Sequence, residues 1–384
     1  MEGAVIKPDI GIYYSLAYSI LGSSGPSLSY LSRDWPELDA WKTIARAKVL
    51  KLLAFEPPSV PLNATVDASY EVDNVVTEVI SYDMPYGPRA RCFFLYPKNR
   101  KSGERLPAVI ALHDHGGFKY FGKEKITAVP NEPPILCEFK MKYYGGRSWA
   151  TELAKRGFAV LVPDAFLFGS RKIPVESLNE DFRRRFKGLE PDSREYIVEY
   201  NRLAGELEHI IAKTIFAAGS TWPGIFAYED RRSVDYLLTR PEVDPSRIGC
   251  GGLSGGGLRT IFLAGLDPRI KCAVCVGFMS TIRDMLRNHI KCHTWMLYVP
   301  HLSRYLDLPD LISLHAPAPL MVQYNIDDEL YTLDGQRRAD EKLRQIYTKM
   351  GFPENYYGKF YPGPHKFDLA MQEDAFKWFE RWLK

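Results

Sequence analysis

No segment of this chain reads as a membrane span, and none reads as a secretion leader. Its apolar runs are too short to cross a bilayer. Met1 to Ile20 lacks a basic start followed by a clean apolar core, because Asp9 and several tyrosines interrupt it. The expectation is a cytoplasmic protein with no membrane role. Asn63-Ala64-Thr65 is a formal glycosylation sequon, read as chance in a chain without a secretion signal. A strong charge balance is also missing. The chain has 50 Lys and Arg against 47 Asp and Glu, a net +3, which argues against a nucleic-acid partner. Cysteine is sparse, with 6 scattered among 384 residues. Cys272-Ala273-Val274-Cys275 is a C-x-x-C, but residues three apart on a strand point to opposite faces. The pair is therefore expected to be reduced and buried, holding neither a metal nor a disulfide. No internal repeat, low-complexity tract or flexible linker divides the chain.

What is present fits one large α/β domain. Residues 34–55 read as a helix, with Asp34 and Glu37 as a capping box and Pro36 in the first turn. Its apolar stripe is Leu38, Trp41, Ile44, Ala45, Val49 and Leu52. Val75–Ser81 and Arg89–Tyr96 alternate like antiparallel strands. Strands at Pro107–His113, Phe158–Pro163, Arg247–Leu253, Ile270–Gly277, Pro319–Tyr324 and Tyr357–Tyr361 then follow. Helices are expected at Trp149–Arg156, Arg231–Leu238, 255–265, Leu333–Met350 and Phe367–Leu383. This alternation predicts a mostly parallel, doubly wound sheet flanked by helices. The expected organisation is a helical arm over 1–69 and a catalytic domain over 70–384. Three insertions break the pattern, near 114–147, 170–220 and 278–316, and long insertions at strand ends usually serve binding. The second contains a helix from about Ser193, opened by Asp192 and Glu195.

Gly252-Leu253-Ser254-Gly255-Gly256 matches G-x-S-x-G directly after an expected strand. A strand that turns at once into a helix forces the turn residue into a strained backbone, and small neighbours let other backbone pass close. The product is a serine Oγ held up at the end of a sheet. A serine hydroxyl is a poor nucleophile, so it needs a base, and the base needs an orienting acid. In this architecture the acid and then the histidine follow the serine, each in a loop just after a strand. Asp327-Asp328-Glu329 and His365 occupy those loops. Residue types and spacing leave the three adjacent carboxylates undecided. An oxyanion hole is expected from the N–H of Gly255 and from the loop His113-Asp114-His115-Gly116-Gly117, through His115 or alternatively Gly116. Trp222, His293 and Trp295 are candidates to contact substrate, with core packing the equal reading of each.

Rival readings are weaker. His113 and His115 share a strand face, yet no third metal ligand stands at a recognised spacing, so neither metal nor other cofactor is expected. Gly249-Cys250-Gly251-Gly252-Leu253-Ser254 puts serine where a dinucleotide fingerprint needs its third glycine. Arg183-Arg184-Arg185 reads as a solvated helix face or a site for an acidic group.

These residues resemble the α/β-hydrolases, within them the dienelactone-hydrolase and acetyl-xylan-esterase-like group, over roughly residues 70–384. The resemblance rests on Leu112-His113-Asp114-His115-Gly116-Gly117, Phe121-Gly122-Lys123-Glu124-Lys125, the Gly-Leu-Ser-Gly-Gly-Gly elbow and Arg240-Pro241-Glu242-Val243-Asp244. Asn288 to Leu311, with His293-Thr294-Trp295-Met296, is also similar. It implies cofactor-free hydrolysis of carboxylic esters. Dienelactone hydrolases carry cysteine at the nucleophile position, so Ser254 shifts the implied activity to a serine esterase. Asp328-Glu329-Leu330-Tyr331 resembles that group's Asp-x-Leu-aromatic segment, which places the acid at Asp328 and leaves Asp327 to cap the loop. The expected partner is a small-molecule ester, acetylated sugars included, and a homo-oligomer is left open. A peptidase or amidase on the same triad is the enzymatic alternative, and a non-catalytic binding protein of the same fold is the other.

Overall fold

In the computed structural model, which describes Lys7–Lys384, nine strands form one sheet. They are β1 (Thr65–Val72), β2 (Val75–Tyr82), β3 (Ala90–Pro97), β4 (Leu106–Leu112), β5 (Ala159–Pro163), β6 (Val243–Leu253), β7 (Ile270–Val276), β8 (Leu320–Asn325) and β9 (Tyr356–Tyr361). The order is β1-β2-β3-β5-β4-β6-β7-β8-β9. The first three strands pair antiparallel, as does β3 with β5; every pair from β5 to β9 is parallel. Every residue of β4, β5 and β8 is buried, as a strand covered on both faces requires. The C-x-x-C cysteines on β7 are unpaired, and they join apolar clusters on opposite sides of the sheet, Cys272 on one and Cys275 on the other.

Met1–Ile6 of the expected arm lie outside the described residues. The arm's helix runs Leu38–Leu53 and buries Trp41, Ala45, Val49 and Leu53 in the main core. The Asp34–Glu37 capping box does not form. The N-cap is Glu37 itself, without a side-chain bond, and Asp34 pairs with Lys349. Ile44, expected on the apolar stripe, is 48% exposed. Polar bonds fix the helix to the domain: the Arg46 guanidinium donates to the carbonyls of Gly265 and Leu314.

Three further differences have local causes. The helix expected from Arg231 begins at Trp222, because Pro223 fits a first turn and Thr221 caps it by accepting from the Gly224 N–H. The helix Arg194–Ala217 is capped by Ser193, while Asp192 accepts a hydrogen bond from the Tyr120 hydroxyl instead. Pro134–Tyr144, inside the expected loop 114–147, is helical. The Arg183–Arg185 run forms ion pairs, Arg184 with Glu180 and Arg185 with Glu199 and Glu206. No helix among the described residues is long and apolar enough to cross a membrane.

Candidate active site

Ser254 stands between β6 and the helix Gly255–Leu266 at φ +58°, ψ −119°, a left-handed region that a side chain rarely tolerates. The surroundings hold it there. Its N–H donates to the Val276 carbonyl at 2.8 Å, and its own carbonyl accepts from the Leu258 N–H at 2.9 Å. A methyl group on Gly252 or Gly256 would run into the Leu112 carbonyl oxygen of β4. The two glycines of the motif are therefore what lets β4 pass beside the turn. Behind the turn, Arg259 donates to Asp230 at 3.0 and 2.6 Å in a fully buried fork that locks the elbow helix to the helix Trp222–Leu237.

The loops after β8 and β9 bring the other two groups in. His365 Nδ1 lies 2.7 Å from Asp328 Oδ2, and Asp328 Oδ1 accepts from the Leu330 N–H at 3.0 Å. Asp328 is buried, whereas its neighbours Asp327 and Glu329 are exposed. Asp327 instead accepts the Gly363 N–H at 2.9 Å, tying the two loops together. The backbone at Gly277, φ +59°, lies flat beside the imidazole; a methyl there would sit 3.0 Å from His365 Cε1. His365 Nε2 is buried and has no hydrogen-bond partner.

Ser254, His365 and Asp328 all line one cavity of about 370 Å³, together with His115, Gly116 and Gly255. All lie in segments that follow the carboxyl ends of strands, where an open α/β sheet places its ligands. The Gly255 and His115 backbones adjoin: a methyl on Gly255 would come within 2.8 Å of the His115 nitrogen. Gly116 and Gly117 both have positive φ, and a side chain on Gly116 would strike Asp114 and Phe139. His293 lines the same cavity, and burial lowers its pKa to about 4. Its ring bonds the Leu330 backbone, and Nε2 is left without a partner. Trp222 and Trp295 are not among the residues lining the cavity. Trp222 is 1% exposed and packs edge-on against Phe166. Trp295 donates its Nε1–H to His209. Lys142 and Tyr143 do line it, from the helix that sequence reading treated as loop. A larger cavity of about 560 Å³ beside Arg91 and Lys172 holds none of the residues of the Ser254 constellation.

The loop after β4 is braced from below. Asp114 accepts from the Tyr144 hydroxyl and from Lys125 Nζ, both donors buried. The His113 ring is fully engaged, with Nδ1 on the Asp114 carbonyl at 2.9 Å and Nε2 accepting from the Ala165 N–H at 3.1 Å. His115 Nδ1 accepts from the Gly117 N–H at 3.0 Å, so its Nε2–H faces Glu208 Oε1 at 2.5 Å. Lys119 Nζ also donates to Glu208. Burial works to raise the Glu208 pKa, but its hydrogen bond to His115 and the charges beside it hold it at about 2. Glu208, on the helix Arg194–Ala217, was not singled out from sequence. Its one signal there is a charge beside the apolar face of Leu203 and Leu207. Among the described residues, no group of three or more His, Cys, Asp or Glu side chains could hold a metal ion.

The topology decides the class. A strand-to-helix elbow after β6, acid and histidine after β8 and β9, and β3 antiparallel beside β5 belong together in one architecture. The fold is that of the α/β-hydrolases. No family model matches the chain. It is 25% identical over 341 residues to YtaP, a hydrolase candidate of Bacillus subtilis strain 168, covering 88% of this chain and 98% of that one. Among solved α/β-hydrolase structures, an acetyl xylan esterase candidate of Bacteroides fragilis superposes with TM-score 0.68 at 16% identity, over 91% of this chain and 82% of that one. Glucuronoyl esterase from Solibacter usitatus gives TM-score 0.61 at 13% identity, over 93% and 97%.

Proposed function

We propose that this α/β-hydrolase is a serine carboxylesterase acting on small or medium acyl esters, acetylated sugars among them. One observation carries the reading: a strained, glycine-flanked Ser254 shares a cavity with a His365 that is hydrogen-bonded to buried Asp328 and presents an unpartnered Nε2. A carboxylate only accepts hydrogen bonds, so Asp328 keeps the ring proton on Nδ1 and leaves the Nε2 lone pair for the serine proton. Ser254 Oγ then attacks the ester carbonyl. The N–H groups of Gly255 and His115 take the developing negative charge, with Gly116 as the alternative donor. His365 returns the proton to the leaving alcohol, and water repeats the cycle on the acyl-enzyme. The names of the neighbouring proteins support esters of sugars and uronic acids as the substrate class. The apolar lining at Leu258, Phe278 and Leu330 suits a short acyl chain.

A panel of p-nitrophenyl esters, acetylated sugars and peptide amides tests this. Ester turnover is expected, falling about four to six orders of magnitude in Ser254→Ala. Near-normal turnover in folded Ser254→Ala would remove the assignment.

A further inference from the structure

The amino-terminal arm turns its aliphatic side chains outward. Ile12, Leu16 and Ile20 recur every fourth residue, and the helix Tyr14–Leu21 has no buried residue. Ile12 is 85% exposed, Tyr13 66%, Leu16 56% and Ile20 55%. No charged side chain occurs from Ile10 to Ser32. Yet the segment is docked, not dangling. The Asp9 N–H donates to the Arg287 carbonyl at 3.0 Å, and Lys291 Nζ lies 2.8 Å from Asp9. Asn288 donates to the Lys7 carbonyl at 2.7 Å. The Arg283 and Arg287 guanidinium groups lie over the Tyr18 and Tyr14 rings. Polar and cationic contacts thus hold the inward face, and the aliphatic side chains face water, the reverse of the usual surface helix.

An apolar groove of about 320 Å³ adjoins the segment that holds the arm. Ile282, Leu286 and Ile290, interleaved in sequence with the residues that grip the arm, line it together with Tyr298, Val299 and Leu306. The chain leaving the arm runs along this groove's border, with the Ser27 and Leu28 N–H groups on the Arg304 and Tyr305 carbonyls.

We propose that this face is the contact between copies of the chain, the stripe Ile12–Leu16–Ile20 of one protomer packing on the arm and groove of another. An aromatic side chain buries roughly 150–250 Å² and an aliphatic one somewhat less; with Ile10 50% and Tyr18 40% exposed beside the four above, the arm leaves on the order of 600 Å² of apolar surface uncovered. That is at the upper limit for a monomer, about 600 Å². With the groove it approaches the roughly 800 Å² per partner of a stable interface. A patch that meets its own copy must not repel itself; the stripe from Ile10 to Ser32 carries no charge, and Lys291 beside it is paired with Asp9. A helix lying on a lipid surface instead carries a face of lysines and arginines free for headgroups. Here Arg283, Arg287 and Lys291 are engaged with the arm itself.

Sedimentation equilibrium of the full chain is the test. At about 10 μM the wild type is expected at the mass of a dimer or larger closed oligomer of the 43.9 kDa chain. Ile12→Asp/Leu16→Asp is expected to sediment as a monomer with an unchanged circular dichroism spectrum, since both side chains are solvent-facing in the protomer. Ile12→Ala/Leu16→Ala should weaken the association by about tenfold or more. A wild-type chain still monomeric at about 100 μM, or an oligomer unaffected by either pair, overturns the proposal. So does a monomer that floats with phosphatidylglycerol vesicles through the same residues, which would assign the stripe to lipid.

Discussion

Asp327 and Asp328 are chemically identical neighbours with different surroundings. Asp328 is buried against His365; Asp327 is exposed and accepts the Gly363 N–H. An amide at Asp328 would favour the wrong imidazole tautomer and leave the imidazolium unstabilised, a change that cost about four orders of magnitude in a serine protease. Asp328→Asn is therefore expected to lower kcat by about three to four orders, and Asp327→Asn by less than tenfold. Steady-state kinetics on the two folded variants checks this, and the reverse ranking would contradict it. Position alone left the acid among three carboxylates, because adjacent loop residues point in different directions and the sequence does not say which way. Trp222 stayed open between site and core for a related reason: a large aromatic near a site and one in a core look alike in sequence, and its burial at the helix start matches the core reading.

Elements separated widely along the chain are tied here by buried polar bonds that no local pattern announces. Glu208 lies 93 residues beyond His115, and in sequence it is one more glutamate on an amphipathic helix. In three dimensions it links the insertion between β5 and β6 to the loop that carries His115, whose N–H is the proposed oxyanion donor. Glutamine at this position keeps the size and one acceptor but removes the charge facing Lys119. Glu208→Gln is expected to lower kcat about tenfold to hundredfold with KM little changed, since one oxyanion donor is worth roughly 10²–10³ and this change only misaligns it. An unchanged kcat in a variant with native circular dichroism would show that the contact is only structural. The core strands were legible to within a few residues, because continuous apolar runs have few other uses. β1 was not anticipated: it is an edge strand, with six of its eight residues exposed and none buried, so its pattern resembles a loop. The helix Trp222–Leu237 was half-read, because Pro223 and Gly224 signal a break unless the Thr221 cap before them is weighed.

For the whole molecule, acid is the natural stress. Burial lowers the pKa of His113, His115, His293 and His315, the last two to about 4 and about 3. Each contributes its full stability above the unfolded value near 6.5 and loses it as pH falls toward the folded value, because the unfolded chain takes up a proton that the folded chain refuses. Between pH 7.5 and 5 the rings of His293 and His315 should each cost roughly 2 kcal/mol. Asp307, Glu229 and Asp230 partly offset this loss, because burial raises their carboxyl pKa values and they gain stability as pH falls. The urea midpoint is expected to drop over that interval, and His315→Gln should flatten the drop; an equal or higher midpoint at pH 5 would contradict the burial of these rings. The proposed activity depends on the activation of one hydroxyl, which fluorophosphonate labelling followed by intact mass and peptide mapping reads out most directly. A single adduct on Ser254 is expected at neutral pH, absent in Ser254→Ala. No adduct, or one mapping elsewhere on a folded chain, would contradict it.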